Sequence, residues 1–384
     1  TYSIAGARFG TSLLWTAIVS FPLMAGIQEM CARLGVLTGK GLAGNIKSNY
    51  PPWILWLIIS LSLPAIIFNI GADIAAMGAV ANMLLPDIHA SFFSMVFTVL
   101  LIISIVYLPY ARIASILKWL CVVLLCYIIV PFLEKQDYLL ILRKTFIPDF
   151  SFNKEYLLSI VGILGTTISP YLFFWQTSVE VEEIELHKTI VDKQLIHDIE
   201  TDVKAGIGFS NLVFYFIILT TGTVLFNSGV HDIKTVDQAA LALRPLAGEA
   251  SYLLFAIGVI GTGFLAIPVL AGSLSYMISE TFGWPEGLNK KFNEAPKFYL
   301  VLMVSMVIAV LINFSGLSVV QALVYTAVVY GLTAPVLIAI ILHMSNNSKV
   351  LKSETNNLWV NLSGFTALII MVTCAIMLLY FMFL

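Results

Sequence analysis

Apolar stretches of about 20 residues, the length of a helix that crosses a bilayer, recur along the whole chain between short polar connections. Ten spans are expected, roughly at 11–32, 53–85, 90–108, 114–133, 156–179, 205–226, 250–278, 297–314, 318–343 and 358–384. The span at 53–85 is long enough to tilt or to reach beyond the membrane. The opening TYSIAGARFG reads as the tail of a segment that starts upstream of Thr1, which would make eleven. The pattern predicts an all-α polytopic membrane protein, a single transmembrane domain over residues 1–384.

One span differs from the others. Val161 to Glu183, VGILGTTISPYLFFWQTSVEVEE, is interrupted by small hydroxyl residues and a proline. Pro170 has no N–H and its ring crowds the carbonyl one turn back, so a helix through it leaves the Thr166 carbonyl without a partner. In hydrocarbon a broken helix is tolerated only where protein or a watery cavity satisfies the freed groups. Thr166, Thr167, Ser169 and Tyr171 place neutral, hard oxygens within a turn of the break, and the half-helix after Pro170 starts with its positive dipole end nearby. One reading is a proline kink repaired by hydroxyls. The other is a midplane ion or substrate site on a discontinuous helix, as in inverted-repeat transporters. On the second reading 156–343 is a five-helix repeat, 1–155 the remainder of the first half, and 358–384 a final helix.

Composition agrees with the spans: 59% of the 384 residues are hydrophobic and 11% charged, against about a quarter charged in soluble domains. Net charge is −2 with no basic run, so nucleic acid is not an expected partner and the lipid bilayer is. Charge asymmetry between loops sets an orientation. Thirteen Lys and Arg fall on one side: Arg33, Lys40, Lys47, Arg112, Lys118, Lys188, Lys193, Lys204, Lys290, Lys291, Lys297, Lys349 and Lys352. Seven fall on the other: Arg8, Lys135, Arg143, Lys144, Lys154, Lys234 and Arg244. The richer side should face the cytoplasm of a plasma (bacterial inner) membrane. Glu180 to Lys204, with eight acids and three lysines, reads as a solvated cytoplasmic helix or as a cation-attracting vestibule. Cys31, Cys121, Cys126 and Cys374 have no CxxC spacing and read as small buried hydrophobes.

Polar groups inside the spans are the remaining signal. Asp73 is the one charged residue in 53–85. At that depth an ionisable group either marks an ion or proton path or is paired within the bundle. Asn69 lies one turn earlier on the same face. Gln176, Gln321 and Tyr325 could face a shared cavity or bond helix to helix. Glu29 and Arg33 form an i,i+4 pair with a structural role, LGVLTGKGLA leads into an interfacial helix, and Gly258, Gly261, Gly263 and Gly272 allow close helix packing. His89, His187, His197, His231 and His343 sit in or near loops, which disfavours a histidine-bound metal in the membrane. No Ser–His–Asp, HExxH, P-loop or Rossmann pattern points to an enzyme.

CARLGVLTGKGLA (31–43), ADIAAMGAVANMLLP (72–86) and GTTISPYLFFWQ (165–176) resemble the second, third and sixth helices of the Nramp divalent-metal transporters, most closely their Nramp-related magnesium-transporter branch. The resemblance implies an inverted-repeat (5+5) fold with discontinuous first and sixth helices, an eleventh helix, and one divalent cation held where the two are unwound. The family's A-x-x-M-P-H signature places Thr166 at the alanine whose carbonyl binds metal, Ser169 at the metal-binding methionine and Tyr171 at the histidine. A thioether favours transition metals, whereas a hydroxyl tolerates Mg²⁺. Mg²⁺ also keeps several waters, which small side chains accommodate. Asp73 matches a family acid, but the acid expected three residues later is Ala76, so strict proton coupling is not expected. The chain should therefore import Mg²⁺, with Mn²⁺ as competitor, and needs no bound cofactor. Thr166 and Ser169 would be the metal ligands, with Thr167, Tyr171, Gln176, Asp73, Asn69 and Gln321 around the site or pathway. A proton-coupled Mn²⁺/Fe²⁺ importer is the alternative, and a non-transporting membrane scaffold or intramembrane enzyme a third.

Overall fold

The computed structural model describes residues 1–108, 115, 119, 122–233, 235–315 and 319–383. Arg112, Lys118, Cys121, Lys234 and most of residues 114–121 of the span expected at 114–133 lie outside them. Among the described residues the long elements are all helices: α1 (Tyr2–Phe9), α2 (Trp15–Thr38), α3 (Leu42–Asn49), α4 (Pro52–Leu84), α5 (Ala90–Tyr107), α6 (Cys126–Leu133), α7 (Tyr138–Phe146), α8 (Lys154–Thr167), α9 (Pro170–His187), α10 (Lys193–Val224), α11 (Ser251–Phe282), α12 (Pro296–Ile312), α13 (Val319–Ser345) and α14 (Leu358–Phe383).

Seven described segments are long and apolar enough to cross a membrane, with Val122–Leu133 and Pro296–Ile312 as shorter apolar helices. The span expected at 11–32 is not among the seven. It is α2, which runs on to Thr38 and stops at Gly39, whose left-handed φ of 61° suits glycine. Gln28, Glu29 and Arg33 are all buried in it, which a helix enclosed by protein permits and one facing lipid does not.

The helices pack in two groups. Around α4 lie α5, α11, α12 and α13, while α2 packs on α9 and α10, and α1 on α10. The groups meet where α9 lies on α11 and α8 on α13. Absent side chains make these contacts close: a Cβ on Gly165 of α8 would come 2.8 Å from the Ala327 carbonyl oxygen of α13, and one on Gly272 of α11 2.9 Å from Trp175 of α9.

Charged connections collect at two ends. At one, Arg33 meets Glu200, and Lys47 donates to the Thr281 carbonyl. At the other, Arg8 pairs with Asp232 and Lys154 donates to the Phe381 carbonyl. The segment 180–204 is not one solvated helix. It is the end of α9 and the start of α10, where Asp192 caps the Leu195 N–H. Nor is α3 merely interfacial: Leu42, Ala43, Asn45 and Ile46 are buried, and the helix packs on α2, α4, α9 and α11.

Candidate metal centre

The interrupted span is broken where proline chemistry requires. α8 stops at Thr167, α9 starts at Pro170, and between them Ile168 (φ −96°, ψ 67°) and Ser169 (φ −89°, ψ 128°) leave the helical region. Ser169 is the N-cap of α9 and is 2% exposed. Its hydroxyl donates to the Thr166 carbonyl oxygen at 2.7 Å and lies 3.1 Å from that of Gly165. The Thr166 carbonyl is therefore not bare, as proline geometry alone suggests. A neighbouring hydroxyl has taken over the role of the missing N–H, as serine commonly does at helix ends, because a buried unpartnered carbonyl costs about 1–3 kcal/mol.

α1 completes the ring of oxygens. Thr1 Oγ1 is 3.1 Å from Thr166 Oγ1, and Tyr2 Oη is 3.1 Å from Thr167 Oγ1. Thr167 also donates back to the Ile163 carbonyl at 2.7 Å. The Tyr2 ring stacks on Phe214 of α10 at 4.6 Å, which fixes its hydroxyl beside the break. Sequence reasoning missed Thr1 and Tyr2, which are 165 residues from their partners.

Below the break Tyr171 packs on Tyr330 of α13, ring centroids 5.9 Å apart, and Asn69 of α4 donates to the Tyr330 hydroxyl at 3.4 Å. Asn69, Tyr171 and Tyr330 thus form one polar cluster on three helices beside the break, and Asp73 lies one turn along α4 from Asn69.

The glutamines do not join it. Gln176 donates to Glu180 at 2.7 Å, turning along α9 away from Ser169. Gln321 is exposed near the start of α13, nine residues before Tyr330, about 13 Å along a helix, and Tyr325 is 52% exposed. Gln176 and Gln321 thus lie along α9 and α13 away from the break. Among the described residues no group of three or more His, Cys, Asp or Glu could hold a metal, so a cation here would meet neutral oxygens with one acid nearby.

Two further features support the centre from the inner end. Glu29 and Arg33 are paired at 2.5 Å as the sequence suggests, and Glu200 (2.7 Å to Arg33) and Lys204 (2.9 Å to Glu29) extend the pair into a four-membered network between α2 and α10. Glu280 of α11 accepts from the Gly44 N–H (2.8 Å) and the Ser178 hydroxyl (2.5 Å). That carboxylate sits against the first turn of α3, where freed N–H groups favour an anion.

Known proteins agree with this architecture. The family model described as "Natural resistance-associated macrophage protein-like" (Nramp) matches residues 1–381. The divalent metal cation transporter MntH of Caldanaerobacter subterraneus subsp. tengcongensis is 25% identical over 357 residues, 90% of this chain and 80% of that protein. The protein of the same name from Bacillus subtilis is 23% identical over 380 residues, 98% of this chain and 86% of its own. Among solved structures the Eremococcus coleocola manganese transporter superposes with a TM-score of 0.75 at 18% identity, covering 97% of this chain and 81% of that one. Mhp1, a nucleobase-cation-symport-1 family transporter, superposes at 0.56 and 12% identity, covering 98% and 89%. A family match over nearly the whole length, on a polytopic helical fold with a helix interrupted at Ser169, means that the chain belongs to the Nramp family of divalent-metal transporters and is a multi-pass membrane transporter, not an enzyme.

Proposed function

We propose that this transporter imports Mg²⁺, with Mn²⁺ as a competing substrate, across the plasma membrane by alternating access, and that uptake is not strictly coupled to protons. The observation that carries this reading is the pairing of Ser169 Oγ with the Thr166 carbonyl oxygen, 2.7 Å apart with no sulfur between the half-helices. Two oxygens held about 2.1 Å from Mg²⁺ at right angles lie about 3 Å apart, so a small opening of this pair suits two adjacent ligands. The remaining octahedral positions go to water, which Mg²⁺ gives up reluctantly. Thr167 and Tyr171 hydroxyls line the immediate surroundings, and Asp73 supplies negative potential from α4.

Mg²⁺ and Mn²⁺ uptake into proteoliposomes tests this. Mg²⁺ flux that Mn²⁺ inhibits supports it, and Mn²⁺ flux indifferent to excess Mg²⁺ overturns it. The reading also predicts that Ser169→Met, which introduces a soft ligand, raises the Mn²⁺ to Mg²⁺ flux ratio.

A second reading, a proton-coupled Mn²⁺/Fe²⁺ importer, is favoured by the manganese transporter among the similar structures and by an acid, Asp73, inside α4. It predicts metal-driven acidification of the vesicle interior that Asp73→Asn abolishes. On either reading residues 156–343 act as the second five-helix repeat and the lysine-rich end faces the cytoplasm.

A further inference from the structure

α9 begins at Ser169, its N-cap, and reaches Glu182 thirteen residues later, about 20 Å along the helix. At that inner end its half-buried carboxylate is tied by hydrogen bonds. Glu182 Oε2 accepts from the Tyr276 hydroxyl of α11 and from the Leu288 N–H at 3.1 Å, and Oε1 accepts from the Asn289 N–H at 2.6 Å. One turn higher, the Glu280 carboxylate of α11 reaches the other way, to the Ser178 hydroxyl of α9 and the Gly44 N–H of α3. Two carboxylates, one from each helix, thus take five donors, of which Tyr276 and Ser178 lie directly across the α9–α11 boundary and the others on α3 and in the connection after α11. Trp175 on Tyr276, ring centroids 6.2 Å apart, fills the space between α9 and α11. This boundary is where the two helix groups meet, and relative movement of such groups is how inverted-repeat transporters expose a midplane site to each side in turn.

We propose that Glu182 and Glu280 form a carboxylate latch that holds the inner half-helix α9 on α11 and keeps the cytoplasmic side of the ion site shut until it is released. The inference rests on the alternating-access reading above. Both residues are positioning residues: neither reaches the ion, and each acts through the half-helix that carries Ser169. Glutamine is an informative replacement at either position. Each carboxylate uses both oxygens as acceptors, so an amide sets an NH₂ group against a donor at one end and keeps only the other half of the grip.

The test is accessibility at position 279, whose serine is fully buried on α11 next to Glu280 and has a hydroxyl without a hydrogen-bond partner, so that Ser279→Cys removes no bond. In purified full-length protein carrying this change, Cys31, Cys121 and Cys126 are replaced by alanine and Cys374, 5% exposed beside α8, is kept as a reference. Alkylation by a bulky maleimide is then timed with and without Glu182→Gln or Glu280→Gln. The latch predicts a several-fold faster reaction at 279 and an unchanged rate at 374. It also predicts a changed maximal transport rate with an unchanged half-saturating metal concentration. Unchanged labelling at 279 overturns the proposal. So does equal acceleration at both sites, which reports general loosening. Failure of the transport reading is distinguished by absent metal flux in the parent protein, a result that the labelling does not affect.

Discussion

Ser169→Ala removes one hydroxyl from the break and nothing else, so its consequences follow from the geometry. The Ser169 hydroxyl is the donor that partners the Thr166 carbonyl at 2.7 Å, in a site where Ser169 is 2% exposed. Without it the part-buried Thr166 carbonyl loses its side-chain donor, at about 1–3 kcal/mol where water does not replace it. The metal-free protein should therefore lose about that much stability, read as a lower unfolding temperature in detergent. A cation that binds the Thr166 carbonyl supplies the missing partner, and ligand binding to the folded state alone adds RT ln(1 + [L]/Kd), about 2.7 kcal/mol at a hundredfold excess over Kd. The parent keeps both oxygens and binds more tightly, so the gap between Ser169→Ala and the parent should widen as Mg²⁺ or Mn²⁺ rises to saturation. Half-saturating Mg²⁺ should rise by about tenfold if the lost oxygen is worth about 1.4 kcal/mol in binding. Ser169→Thr, which keeps the donor, should stay near the parent in both assays. Metal-free stability unchanged in Ser169→Ala, with Mg²⁺ uptake also unchanged, would refute the assignment of this hydroxyl to both roles.

Other perturbations follow from the packing and the charges. Gly165→Ala puts a Cβ 2.8 Å from the Ala327 carbonyl, too close for either backbone to absorb, and should abolish uptake and lower the unfolding temperature. Gly206→Ala on α10 meets nothing within 4 Å and should be neutral or stabilising by up to about 1 kcal/mol. Arg33→Met leaves Glu29, its side chain 2% exposed, with Lys204 alone and should destabilise by about 3–5 kcal/mol, whereas Glu29→Gln with Arg33→Met should recover most of that in denaturant unfolding. Glu286, in the connection between α11 and α12, has its pKa raised from 4.5 to about 9, first by burial and then by the charges of Glu280, Glu182 and Glu185, with Lys290 opposing. The folded state thus holds a proton that the unfolded chain releases near pH 4.5. The contribution is complete below that pH and is lost as pH rises to about 9. The unfolding temperature should accordingly fall between pH 5 and 9 in the parent and fall less in Glu286→Gln.

How far the chain could be read from its residues depended on whether the cause was local. The break at Ile168–Ser169 was legible because a proline without an N–H acts on the turn immediately before it. The fate of the Thr166 carbonyl was not, since Pro170 frees it while Ser169, whose rotamer is set by packing, occupies it. Thr1 and Tyr2 were invisible as partners of Thr166 and Thr167, because hydroxyl pairs across 165 residues have no spacing signature. Composition read the acids of 180–204 as solvated, yet Glu182 is committed to Tyr276 and the 288–289 backbone. Charge runs report average exposure, not which member turns inward. Gln176 and Gln321 show the same limit in depth. Polarity marks a side chain as unsuited to lipid, but only the level of each helix decides whether two such groups meet.

The central claim is that a divalent cation binds at the gap between α8 and α9. It is tested most directly by anomalous diffraction from crystals of the protein soaked in Mn²⁺, repeated with excess Mg²⁺. The account predicts a single strong Mn²⁺ peak within about 2.5 Å of both the Thr166 carbonyl oxygen and Ser169 Oγ, weakened by Mg²⁺. A peak elsewhere, with Ser169 still bonded to an unshifted Thr166 carbonyl, would contradict it.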